Sequence, residues 1–277
     1  MTVIEAIQRS ADFLSRKGVD SPRLQAELLL AHVLQLPRLK LYLQFERPLS
    51  DPEVDRLRAF VKRRGEREPL QHILGSTSFC GIEIAVTPDV LIPRPETEIL
   101  AETAWEYLKK RGGEPVVLDY GTGSGCVAVA LAAHCPSAKI HALDISEKTL
   151  AVARANAGCH HITFHLGKAF PELPPLDLLV SNPPYIPSGE IASLQPEVAR
   201  FDPRVALDGG ADGLDFYRRI ASEALPLLAP DGRIMLEFGD GQETALPEIF
   251  ARDWTIAEIK PDFAGKPRIL IAHRAKT

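Results

Sequence analysis

Val116–Ala133, VVLDYGTGSGCVAVALAA, decides the fold. Five residues suited to a buried strand run into glycines alternating with small polar residues, and small aliphatic residues follow. Glycines at 121, 123 and 125 permit a tight strand-to-helix turn and let a ligand lie against backbone at a helix N-terminus. Such a loop fits a dinucleotide site or a plain turn equally well. The next strand, KIHALD, sharpens the choice because it ends in Asp144, about twenty residues on, where a carboxylate can accept from both ribose hydroxyls. G-T-G-S-G is not the G-x-G-x-x-G spacing of dinucleotide sites. Asp119, two residues before the first glycine, favours a cation over a pyrophosphate. A sulfonium with a free amino group suits that charge, so S-adenosylmethionine is expected rather than NAD. Its binding residues are expected to be Gly121, Thr122, Gly123, Ser124, Gly125 and Asp144.

Downstream, strand patterns alternate with helical ones: SEKTLAVARANA, HITFHLG, DLLVSNPP, GLDFYRRIASEALPLL, GRIMLEFG and GQETALPEIFARD. This alternation predicts a mostly parallel sheet with helices on both faces. TIAEIKPDF and KPRILIAHR have no helix between them and are expected to form a hairpin with an antiparallel edge strand. Upstream the pattern differs. TVIEAIQRSADFLSRKG spaces Val3, Ile4, Ile7, Ala11 and Leu14 as one helical face and stops at Gly18. Ser21-Pro22 and Asp51-Pro52 open two further helices. GSTSFCGIEIAVTPDVL reads as a hairpin turning near Gly81. The expected organisation is therefore a helical unit over 1–74, a β-hairpin linker over 75–90 and an α/β domain over 91–277.

The second informative stretch is LLVSNPPYIPSG, Leu178–Gly189. Two prolines remove two backbone donors and force the chain out of the sheet, and Asn182 before Pro183 is biased toward extended backbone. By itself this is as readily an ordinary turn. With its strand beside the first one, Asn182 emerges at the same sheet edge as the glycine loop, where ligands bind in such sheets.

Taken together, REPLQHILG, VLIPRPETE, VLDYGTGSG, VSNPPYIP, DPRVALDGGADGLDFYR and DFAGKPRIL make the chain resemble, through nearly its whole length, the protein-glutamine N5-methyltransferases that modify peptide chain release factors. NPPY alone is shared with DNA adenine and several RNA methyltransferases; IPRPETE and ALDGGADGLDFYR are far more specific. The resemblance implies a Rossmann-like, seven-stranded, mostly parallel methyltransferase sheet and an N-terminal helical bundle that helps to recognise the release factor. The expected reaction methylates the glutamine of a Gly-Gly-Gln motif in class 1 release factors and leaves S-adenosylhomocysteine. The alternative is an NPPY-type DNA or rRNA amino-methyltransferase.

Methylating an amide nitrogen is difficult because its lone pair is delocalised into the carbonyl. The Asn182 oxygen and the Pro183 carbonyl are the expected catalytic groups, accepting the two N–H bonds of the substrate amide and so stabilising charge that develops on nitrogen. Pro184 and Tyr185 complete the substrate site, with the Tyr185 ring packed on the flat amide; Asn182 also lies near the cofactor. IPRPETE reads either as a proline-stiffened helix entry, with Glu96 or Thr97 near the cap, or as a closure over the cofactor. The chain departs from the family after the third strand, where HLGKAFPEL places Lys168 and Ala169 at positions usually acidic and aromatic. Ala169 is retained as a cofactor-binding position, and the adenine contacts are expected to come from backbone or from Phe170 packing.

Composition sets outer limits. The 277 residues are 45% hydrophobic and 25% charged, as in soluble globular proteins. A net charge of −5 provides no global attraction for nucleic acid, and the basic run KRRGER (62–67) reads as a solvated helix face or as a contact for the release factor or RNA near it. Four cysteines and eight histidines, including His160 and His161, show no metal-ligand spacing, and free thiols suit a reducing compartment. MTVIEAIQRSADFL has no leader pattern and no apolar run reaches spanning length. We therefore expect a cytoplasmic monomer with no metal, no membrane partner and no direct nucleic-acid partner.

Overall fold

The computed structural model describes residues 1–275. In chain order, helices α1 (Val3–Arg16), α2 (Pro22–Leu34), α3 (Arg38–Leu41), α4 (Asp51–Gly65) and α5 (Leu70–Leu74) come first. Next are β1 (Ser76–Phe79), β2 (Ile82–Ala85), α6 (Pro95–Arg111), β3 (Val116–Tyr120), α7 (Cys126–His134), β4 (Lys139–Asp144), α8 (Glu147–Ala157) and β5 (Ile162–Leu166). The chain continues through β6 (Leu176–Ser181), α9 (Pro196–Phe201), α10 (Asp215–Glu223), β7 (Leu228–Glu237), α11 (Ala245–Phe250), β8 (Trp254–Pro261) and β9 (Pro267–Arg274). Among the described residues no helix is long and apolar enough to cross a membrane.

Two compact units result. The first comprises Met1–Ser76 together with Gln195–Phe201. Its helices start where the local chemistry says they should. Thr2 and Glu5 form a capping box on α1, with Thr2 N donating to Glu5 Oε2 at 2.9 Å, and Ser50 with Glu53 does the same for α4. Val3, Ile7 and Leu14 of α1 pack with Leu29, Leu30, Leu41, Leu57 and Val61 in one core. The polar segment that follows NPPYIP carries α9. That helix belongs to this unit because Arg64 Nη2 and Arg67 Nε each donate to Glu197 Oε1 at 2.7 Å, and Arg67 Nη2 donates to Oε2.

The second unit is Thr77–Leu194 with the chain from Asp202 onward. Its seven-stranded sheet has the order β5-β4-β3-β6-β7-β9-β8. β3 is buried throughout and pairs in parallel with β4 on one side and β6 on the other. The strand order reverses between β3 and β6, which opens the crevice where such sheets bind ligands. One expectation changes here. β8 and β9 do form an antiparallel pair, but β9 inserts beside β7 and is the antiparallel strand, leaving β8 at the edge parallel to the rest. The composition agrees: ILIA in β9 is buried, whereas β8 is half exposed.

The hairpin over 75–90 is likewise more than a linker. Cys80 and Gly81 take positive φ (50° and 77°), as a two-residue turn between twisted strands requires. Phe79, Ile84, Val86 and Val90 are buried in the same cluster as α6, α7 and one face of the sheet.

Candidate active site

The glycine loop joins β3 to α7, and Gly121 N and Thr122 N both donate to Leu143 O at the end of β4 (2.9 and 3.0 Å). Its three glycines have separate duties. Gly121 and Gly123 (φ 74° and 56°) would carry a Cβ into open space, so their backbone faces a cradle that a side chain would fill. A Cβ on Gly125 would instead lie 3.1 Å from the Ala153 Cβ, so this glycine lets α7 approach α8 and does not line the cavity.

Two carboxylates hold the loop. Asp119, 2% exposed, accepts from Thr122 Oγ1 at 2.6 Å and from Ala128 N at 3.2 Å. Burial pushes its pKa up to about 7, with the Asp144 charge acting in the same direction against those two bonds. A cationic ligand would lower that cost. Asp144 accepts from Gly123 N at 3.1 Å and Ser146 N at 3.0 Å, and burial also raises its pKa.

Asn182 leaves β6 at the neighbouring position. β3 and β6 align Asp119 with Val180, and Ser181 Oγ donates to Tyr120 O at 2.5 Å, locking the two strand ends together. The downstream segment Leu207–Gly213 then runs along NPPYIPS: Ile186 N donates to Leu207 O, Gly209 N to Ile186 O and Ser188 N to Gly210 O. Its glycines exist for that approach. A Cβ on Gly209 would lie 2.8 Å from Pro184 O, and one on Gly213 2.3 Å from Tyr185 O. Gln242 Nε2 donates to both Tyr185 O and Gly213 O, at 3.0 and 3.1 Å.

Glycine loop and NPPY meet at one cavity of about 280 Å³. Of the residues expected to form the site, Gly121, Thr122, Gly123, Ser124, Asp144, Asn182, Pro183 and Pro184 line it, and Gly125, Ala169 and Tyr185 do not. Lys168 and Gly167 stand at the wall where Ala169 was expected. The Tyr185 ring does not line this cavity: it packs against the second core cluster beside Gly239, where an added Cβ would be 2.8 Å from Tyr185 Cδ2. Phe170 packs on Tyr120, which lines the cavity, at 4.8 Å between ring centroids and is not itself part of the wall.

The rest of the wall comes partly from IPRPETE, in agreement with its reading as a closure over the cofactor, and partly from residues that were not foreseen. Arg94 and Thr97 of IPRPETE line the cavity, as do Pro203, Val205 and Ala206. Arg94 occupies the N-cap position of α6, with Glu96 and Thr97 in the first turn near it, and its Nη2 donates to Asp202 Oδ2 at 2.6 Å. Thr97, one turn in, accepts from Asn182 Nδ2 at 3.0 Å and donates to Glu237 Oε2 at 2.7 Å. The unusual motif IPRPETE was the available signal, but nothing local says which side chains of a first helical turn point inward. Among the described residues, no group of three or more His, Cys, Asp or Glu side chains is arranged to hold a metal ion.

Two family profiles match the chain. The profile of the PrmC N-terminal domain matches residues 5–75, and that of the methyltransferase small domain matches residues 97–195. The release factor glutamine methyltransferase of Geobacter sulfurreducens is 44% identical over 255 residues, covering 91% of this chain and 89% of that protein. The protein of the same name from Koribacter versatilis is 38% identical over 279 residues, 99% of each. A crystal structure of a methyltransferase from Pyrococcus furiosus superposes with a TM-score of 0.51 at 20% identity, over 70% of this chain and 90% of that one, which shows a shared fold. With identities of this size sustained along almost its entire length, the chain belongs to the release factor glutamine methyltransferase family.

Proposed function

We propose that this chain transfers the methyl group of S-adenosylmethionine to the side-chain nitrogen of the glutamine in the Gly-Gly-Gln motif of class 1 release factors. The observation that carries the reading is Asn182 at the cavity wall with its amide nitrogen engaged by Thr97, which leaves the amide oxygen as the free acceptor. With the Pro183 carbonyl next to it, this offers two acceptors, which suits a primary amide presenting two N–H bonds.

The residues of the cradle fit S-adenosylmethionine. Gly121 and Gly123 leave room against backbone, Asp144 offers carboxylate oxygens for ribose hydroxyls, and Asp119 supplies negative charge for a cationic ligand. When bound, that cofactor supplies an electrophilic methyl group on a sulfonium. The protein's own part is positional and electrostatic. Asn182 Oδ1 and the Pro183 carbonyl hold both substrate N–H bonds, direct the nitrogen into the cavity and become better partners as that nitrogen gains positive charge. The proton released from nitrogen leaves to solvent. We assign release-factor recognition to the helical unit and take the enzyme to act as a cytoplasmic monomer.

The deciding test incubates the full chain with labelled S-adenosylmethionine and, separately, a release factor, duplex DNA and rRNA, then maps the product by mass spectrometry. Label on the Gly-Gly-Gln glutamine is expected. Label on a nucleobase, or on any other residue, would overturn the proposal.

A further inference from the structure

Asn182 can serve as an acceptor only if the correct end of its amide faces the substrate, since oxygen and NH₂ have almost the same shape. Resting on the methyl-transfer reading above, we infer that Thr97 and Glu237 form a one-way hydrogen-bond relay that sets the orientation of the Asn182 amide, which makes both of them positioning residues for the reaction.

The polarity follows from counting protons. The Glu237 carboxylate, 1% exposed at the end of β7, only accepts when ionised. Thr97, 3% exposed, has a single hydroxyl proton and directs it to Glu237 Oε2 at 2.7 Å. Its oxygen then has lone pairs but no proton to offer on the Asn182 side. Asn182 must present Nδ2 there, at 3.0 Å, because a flipped amide would set two oxygens against each other. Oδ1 is thereby turned to the cavity.

Protonating Glu237 removes the polarity. The carboxyl can then donate to Thr97 Oγ1, the hydroxyl proton is free to turn toward Asn182, and either amide orientation is satisfied. The environment places that event within a working pH range. Burial pushes the Glu237 pKa up to about 7; Glu96 acts in the same direction, opposed by Thr97, by Arg268 of β9 and by Arg94. Tyr185 and Tyr217 also face this group, Tyr217 donating its hydroxyl to Glu237 O at 2.8 Å. The acceptor orientation is therefore enforced as pH rises through about 7 and relaxes below it.

The test measures single-turnover methylation of a release factor at saturating cofactor across pH 5.5–9 (about the span in which such a group titrates), with calorimetric affinity for S-adenosylhomocysteine as a second readout. Thr97→Val keeps the shape and removes the hydroxyl, and the rate is expected to fall roughly tenfold as the competent orientation becomes a minor state. Thr97→Ser restores the hydroxyl and should restore the rate. Glu237→Gln should lower the rate and abolish its fall toward acid pH. Affinity for S-adenosylhomocysteine should be unchanged in Glu237→Gln, whose side chain does not line the cavity. Wild-type rates in Thr97→Val, or an unaltered acid limb in Glu237→Gln, would overturn the relay. Should Thr97→Val fail to fold, the serine variant and the Glu237→Gln profile still decide. A wild-type protein that leaves the glutamine unmethylated at every pH overturns the function itself, a different result from active wild type with indifferent variants.

Discussion

Gly213→Ala tests whether the segment behind NPPY shapes the site. Two costs can be separated. Gly213 has φ 78°, a region that costs an L-residue about 1–2 kcal/mol. The added Cβ would also stand 2.3 Å from Tyr185 O and 2.9 Å from Gln242 Nε2. Relaxed carbon–oxygen contacts lie at about 3.3 Å, so the NPPY backbone or the 209–213 turn must retreat by about 1 Å. That retreat strains the bonds from Gln242 Nε2 to Tyr185 O and Gly213 O, each worth roughly 0.5–1.5 kcal/mol. The total is about 2–5 kcal/mol of stability, and a shift of that size beside Pro183 should slow methyl transfer roughly a hundredfold. Gly241→Ala is the control: φ is 81° and an added Cβ meets no atom within 4 Å, so it should cost the strain alone, about 1–2 kcal/mol, and spare the rate. Urea titration gives the stabilities and single-turnover methylation the rates. Equal stability losses in the two variants, with full activity in both, would refute the reasoning.

Three further outcomes are expected. Asn182→Ala removes the side-chain acceptor and should cost on the order of 3 kcal/mol, roughly a hundredfold in rate, whereas Asn182→Asp retains acceptor oxygens and should keep more activity; an alanine variant as fast as wild type would sink the assignment. Gly123→Val places a branched side chain in the cradle at φ 56°, so calorimetry should show cofactor affinity lost while the protein stays folded; unchanged affinity excludes this loop as the binding site. Within the helical unit, burial would raise the Glu197 pKa, but hydrogen bonds from Arg67 and Arg64 outweigh it and hold the pKa at about 2. Its stabilising contribution is thus present above the ordinary value of 4.5 and is lost as pH falls toward about 2. Hydrogen exchange over 195–201 should accelerate in that window and, at neutral pH, in Glu197→Gln. Acid-insensitive exchange there would contradict the pairing.

The parts of this protein that depend on local chemistry are legible in its amino-acid sequence. Capping residues and 3.6-residue spacing mark α1 and α4 as helices, and VVLDY with its alternating successors marks a parallel sheet. Glycines at 121 and 123 with Asp144, and Asn182 before two prolines, identify the two halves of the cavity because each needs a particular backbone where a strand ends. Tertiary structure decided everything that depends on what a residue meets far along the chain. β9 lies between β7 and β8 because its buried ILIA must be covered on both faces, which strand pattern alone does not place in order. Gly125 packs a helix, and Tyr185 turns into the core where Gly239 leaves space. Asn182, Thr97 and Glu237, separated by 85 and 140 residues between bonded partners, become one hydrogen-bonded chain. A buried polar group takes whichever partner the fold brings within 3 Å, and that partner leaves no periodic trace in the sequence around it.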